Sequence, residues 1–116
     1  MAGAYYRMQE LLKTDAAVDL SPTQRLEDAI DVLGYGTVIV QLRQPVTSTG
    51  AALFIQHAPV LEESAFEDVT GGDFNLGTLG NQTITLTNTL RFLRWRITDL
   101  SGGDTTFLLD VIARDN

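Results

Sequence analysis

The chain has 116 residues, one histidine, no cysteine, and eight Lys and Arg against fifteen Asp and Glu, for a net charge of −7. A single domain of this length buries roughly two thirds of its unfolded surface, and the missing cysteines exclude disulfides and thiolate metal sites. The negative charge opposes a phosphate backbone, so direct nucleic-acid binding is not expected, and no stretch reaches the ~20 apolar residues of a membrane span or the apolar run of a signal peptide.

Residues 1–14 are ambiguous. Tyr5, Met8 and Leu12 fall at helical spacing, while Tyr6, Met8 and Glu10 would line one side of an extended segment. An arm or edge strand over residues 1–20 is the expectation, preceding a sandwich domain over residues 21–116. Ser21-Pro22-Thr23-Gln24 has the form of a helix start, with a Ser cap, Pro in the first turn and Gln closing a capping box, and Gly34 could end that helix. The weak alternation of Ile30 and Val32 with Asp31 and Leu33 suits a strand equally, so helix and strand both stay open over residues 22–33.

From Thr37 the pattern is plainly that of strands. Val38, Val40 and Leu42 alternate with Ile39, Gln41 and Arg43; Pro45 and a Thr-Ser-Thr-Gly turn follow, and residues 51–58 read as the return strand of a hairpin. Residues 59–70 are acidic and irregular, an exposed connection pinned by Phe66 and Val69 and ended by Gly71-Gly72. Residues 82–89 put Ile84 and Leu86 inward and a comb of Thr83, Thr85 and Thr87 outward. In the last quarter Leu93, Trp95 and Ile97 alternate with Arg94, Arg96 and Thr98. After a Ser-Gly-Gly-Asp turn, Phe107, Leu109, Val111 and Ala113 repeat the alternation, which predicts a second hairpin with the only Trp on its buried side. Seven or eight short strands without a long helix predict an all-β, single-domain, two-sheet β-sandwich of jelly-roll type.

Candidate sites are few. His57 has no cysteine or second histidine to share a metal or a catalytic proton, and reads as a strand residue. Glu62, Glu63, Glu67 and Asp68 lack the ligand alternation and turn glycine of a calcium loop, so a solvated acidic loop without a structural cation is expected. Gly77 and Gly80 read as turns, with no Gly-Lys-Thr to make a phosphate loop. Arg91, Arg94 and Arg96 gather positive charge on one strand. They either pair across strands with Asp110 or form a contact patch for an acidic partner protein. Tyr5, Tyr6, Met8, Leu11 and Leu12 give residues 1–14 an apolar content high for a free tail, which makes them candidates for an intersubunit or partner-binding interface. No catalytic, cofactor-binding or metal-ligating residue is assigned.

Asp28-Ala-Ile-Asp-Val-Leu-Gly-Tyr-Gly-Thr-Val-Ile-Val-Gln-Leu, Ala52-Leu-Phe-Ile-Gln-His-Ala, Arg91-Phe-Leu-Arg-Trp-Arg-Ile-Thr and Thr106-Phe-Leu-Leu-Asp-Val-Ile-Ala-Arg together carry a resemblance. They resemble small structural proteins encoded in the head gene clusters of tailed bacteriophages, with Ile55-Gln56-His57 and Phe92-Leu-Arg-Trp-Arg-Ile the most specific motifs. Residues 1–25 depart from that pattern, and a Trp typical of the loop after the His is absent, with Phe66 in its region. The resemblance implies a jelly-roll virion protein without enzymatic activity or cofactor, a head decoration (cement) protein or another head, neck or tail component. It would bind the major capsid protein on the capsid exterior, as a homo-oligomer for which a trimer at threefold positions is the usual device. It would be made in the host cytoplasm. The competing class is a carbohydrate- or ligand-binding β-sandwich module, for which Tyr5, Tyr6, Tyr35 and Phe92 would supply aromatic platforms.

Overall fold

Alternating side chains become strands throughout the molecule; what alternation leaves open is which strands pair. The computed structural model describes residues 3–115. Its strands are β1 (Gly3–Lys13), β2 (Ile30–Asp31), β3 (Thr37–Val46), β4 (Ala52–Ala58), β5 (Glu67–Asn75), β6 (Gly80–Leu86), β7 (Phe92–Thr98) and β8 (Thr106–Arg114). They form two four-stranded sheets ordered β1-β8-β3-β6 and β2-β7-β4-β5, with every pairing antiparallel. First pairs with eighth, second with seventh, third with sixth and fourth with fifth, as though one long hairpin bent at β4–β5 had been rolled up. That is the jelly-roll order, so the β-sandwich expected from the sequence is the fold observed.

The two expected hairpins are not hairpins. β3 and β4 lie in opposite sheets, and so do β7 and β8; among the described residues β4 and β5 are the only consecutive strands that pair. The short links climb from one sheet to the other instead of turning within one. The link after β7 turns through a 3-10 helix, Leu100–Gly102, which buries Leu100 completely. There Gly102 is held so close to the other link that a Cβ on it would lie 2.1 Å from the Thr49 carbonyl oxygen. Side chains that point into a shared core have the same period whether the two strands are neighbours or face each other across ~10 Å of core.

The core lies between the sheets. Val38, Val40, Leu42, Phe107, Leu109, Val111 and Ala113 face Leu53, Ile55, Phe74, Leu93, Trp95 and Ile97, all buried. Trp95 meets Phe107 across the gap edge to face, with centroids 5.1 Å apart at 89°, an arrangement that suits the ring quadrupoles.

Of the two readings for the N-terminal segment, the described residues take the edge strand: β1 pairs with β8 from Gly3↔Arg114 to Lys13↔Thr106, with register shifts between Arg7 and Gln9 and between Gln9 and Leu12. Met1 and Ala2 lie outside the described residues. Tyr6, Met8 and Leu12 turn toward the core, so this stretch belongs to the protein's own sheet.

Of the two readings left open over residues 22–33, the extended one is observed; a single 3-10 turn, Leu26–Asp28, separates two extended pieces. The pull of the sheet explains this. The Gln24 amide donates to the Trp95 carbonyl (2.9 Å), the Ile97 amide to the Pro22 carbonyl (2.8 Å) and the Val32 amide to the Arg91 carbonyl (2.8 Å), so both pieces satisfy the free edge of β7. Gln24, expected to close a capping box, instead sends its buried side-chain amide to the Met8 carbonyl at 2.7 Å and lies across the open side of the sandwich between β1 and β7.

Gly71-Gly72 also differs from expectation. It does not end the acidic connection but forms a bulge inside β5, where the register passes from Gln56↔Asp68 to Phe54↔Asp73. Gly71 has φ +79°, and a Cβ on Gly72 would sit 3.1 Å from Val69, so the bulge depends on both glycines.

Candidate interaction surfaces

The outward residues of β7 and β4 form one face of the sheet β2-β7-β4-β5, and register places Arg96 beside Phe54 and Arg94 beside Gln56. Both β7 arginines, and Arg91 just before the strand, take a carboxylate and an aromatic ring. Arg96 grips Asp68 with two bonds, Nε to Oδ1 at 2.8 Å and Nη2 to Oδ2 at 2.7 Å, and lies 4.7 Å from the Phe54 ring centroid. Arg94, itself buried, donates to Gln56 Oε1 (3.0 Å) and Glu63 Oε2 (2.8 Å) over the Phe66 ring. Arg91 binds Asp31, with Nη2 2.9 Å from Oδ2, and lies over Phe92. A planar guanidinium that pairs in-plane and stacks through its face uses both of its recognition modes at once. The result is a stiff, charge-neutralised surface rather than a row of free cations.

Asp110, the partner expected for these arginines, is on the other sheet. It lies opposite Arg7 of β1 and Gln41 of β3, accepts hydrogen bonds from Arg7 Nε and Arg43 Nη2, and accepts one from the Tyr5 hydroxyl at 2.5 Å. The carboxyl forms part of a shallow hollow of about 230 Å³ lined also by Tyr5, Ile39, Gln41, Thr83 and Ile112. Burial pushes the Asp110 carboxyl up, but the bonds from Tyr5, Arg43 and Arg7 outweigh it and hold the group below the ordinary carboxylate range. The Arg91 bond lowers Asp31, and the Arg96 bond lowers Asp68.

Those three depressions set an acid limit. Folding favours the ionised forms, so their contribution is complete above the unfolded carboxylate pKa of about 3.9 and is withdrawn as pH falls through the lower folded values. The melting temperature is expected to stay level from pH 7 to about 5 and to drop steeply below about 4, with Asp110→Asn removing part of that slope. A melting temperature independent of pH down to about 3 would contradict the assignment.

The sequence-derived interface residues therefore fall on two sheets. Arg94 and Arg96 are on β7 and Arg91 immediately precedes it, whereas Tyr5, Tyr6, Met8, Leu11 and Leu12 are on β1. Met8 is core, Leu12 and Tyr6 pack against it, and the Tyr6 hydroxyl donates to the Asp31 carbonyl at 2.9 Å; Tyr5 and Leu11 are exposed. The aromatic platform of a carbohydrate module is not assembled, because Tyr5 and Phe92 lie on outer faces of different sheets while Tyr6 and Tyr35 pack against the core.

His57 is buried in β4, where its Nδ1 accepts from the Leu90 amide at 3.0 Å and its Nε2 lies 3.8 Å from Glu67. Of the acidic loop, Glu63 and Asp68 turn to different arginines and Glu62 is exposed. Among the described residues no group of three or more His, Cys, Asp or Glu is placed to hold a metal ion. The aromatic partners Phe54 and Phe66 and the Arg7–Asp110–Arg43 cluster went unread in the sequence, since only strand register brings them together.

Neither known protein families nor curated proteins yield a sequence match. Among solved structures, the crystal structure of SPBc2 prophage-derived protein YomS is similar over 97% of this chain and 92% of that one, with a TM-score of 0.54 and 12% sequence identity. At that identity the likeness is one of fold.

Proposed function

We propose that this chain is a non-enzymatic structural protein of a tailed-bacteriophage virion, which binds the major capsid protein on the capsid exterior as a head decoration protein. The observation that carries the reading is the fold: a jelly roll matched over 97% of the chain by a protein described as prophage-derived. The head-protein motifs of the sequence point the same way, with Ile55-Gln56-His57 and Phe92–Thr98 on adjacent strands of one sheet. The mechanism is binding. A stiff sandwich that bridges adjacent lattice subunits adds buried interface, and copies arranged with the lattice symmetry act together against internal pressure.

The arginine–carboxylate–aromatic face of β7 and β4 suits such a role, because side chains already held in place lose little entropy on docking. Co-sedimentation of the purified protein with capsids that lack it is the test. Saturable binding at a fixed ratio to capsid subunits is expected, together with increased capsid resistance to heat. Failure to co-sediment with capsids while binding isolated tails would move the protein to the tail and overturn the decoration reading.

A further inference from the structure

A sandwich of two four-stranded sheets has four edges, and three of them are blunted. β1 carries Arg7, Glu10 and Lys13, is broken by two register shifts, and has its Met8 carbonyl capped by Gln24. β2 is two residues long. β5 carries Glu67, Asp68 and Asp73 and is bent by the Gly71-Gly72 bulge. Charge, brevity, caps and bulges are the ways by which sheet proteins keep edges from pairing with other chains.

β6 has none of them. Its partner is β3, in unbroken register from Val38↔Leu86 to Gln44↔Gly80, so alternate N–H and C=O groups of β6 face away from the sheet. No proline lies in it, and no Asp, Glu, Lys or Arg occurs between Asp73 and Arg91 in a chain that is 20% charged. Thr83 and Thr85 are exposed, and Ile84 is only partly buried against the core.

We infer that β6 is a pairing edge and that its partner is β6 of a second copy, antiparallel about a two-fold axis near Ile84. Charge selects the edge, and self-complementarity selects the partner. Two copies that each carry −7 repel, and β6 is where they can approach without setting like charges opposite one another. The strand is also self-complementary in this arrangement. Thr83 of one copy faces Thr85 of the other on the outer side, a favoured cross-strand pair, while the two Ile84 side chains cover each other on the inner side. Leu79, 70% exposed just before the strand, lies against the Thr87–Thr89 region of the second copy and widens the contact. The product is a continuous eight-stranded sheet across the dimer. A trimer needs a head-to-tail contact, which a self-complementary edge does not supply. The inference stands apart from the capsid reading, since it concerns the free protein.

Sedimentation velocity over a concentration series tests it, with Thr83→Lys/Thr85→Lys as the disrupting variant and Thr70→Lys on neighbouring β5 as the control. The wild type and the control are expected to dimerise, and the double variant to keep its melting temperature while its dimer dissociation constant rises at least about tenfold. Because the chain has no cysteine, Thr83→Cys mixed with Thr85→Cys under mild oxidation gives a second readout independent of that variant's folding: a disulfide between copies is expected. A monomer at all concentrations, a trimer, a dimer that survives the double variant, or failure of the cysteines to cross-link each overturns the inference.

Discussion

Trp95→Ala is expected to cost about 3–5 kcal/mol of stability, as for other large aromatic residues removed from cores. The ring is 3% exposed, meets Phe107 across the sandwich, and bonds through Nε1 to Gln9 Oε1 at 3.1 Å. Truncation removes contacts to both sheets at once and leaves a cavity between them. Strands on both sides pair with two neighbours each, so the surrounding backbone cannot close in to fill the space. Urea unfolding followed by circular dichroism measures the loss. As the only tryptophan, Trp95 also reports on itself: emission of the folded protein at the wavelength of water-exposed indole would contradict its burial.

Deleting residues 1–14 is expected to abolish cooperative folding, a loss of more than about 5 kcal/mol, the lower range of a small domain's total stability. The truncation strips the pairing partner from one side of β8 and takes Tyr6, Met8 and Leu12 from the core. It also removes Tyr5 and Arg7 from Asp110, leaving the carboxylate with Arg43, and takes from Gln24 the carbonyl its amide binds. Buried polar groups left without partners cost about 1–3 kcal/mol each, so the effects compound. An intact thermal transition within a few degrees of wild type would show that the segment is an appendage rather than a strand of the sheet.

The residues facing inward were legible because burial on one side writes a period of two into each strand. Val38, Val40 and Leu42, Leu93, Trp95 and Ile97, and Phe107, Leu109 and Val111 all point where their alternation placed them. Strand partnership was not legible, since a strand reached by a short link leaves the same pattern whether it lies beside its predecessor or across the core from it. The threonine comb of β6 reads correctly as an exposed face. Ser21-Pro22-Thr23-Gln24 left helix and strand undecided because helix-start chemistry is local, whereas the unpaired edge of β7 that claimed this segment is made more than 70 residues later. The same distance hides the ion pairs: Asp31 with Arg91 and Arg43 with Asp110 are neighbours only once the jelly roll is wound.

Electron cryomicroscopy of particles carrying the protein, beside particles lacking its gene, tests the proposed seat of this jelly roll on the outside of a phage capsid. Additional density for a two-sheet sandwich is expected at repeated lattice positions on the outer capsid surface, absent from the deletion particles. Identical capsid surfaces in the two reconstructions, with the protein missing from purified particles or confined to the neck or tail, would contradict it.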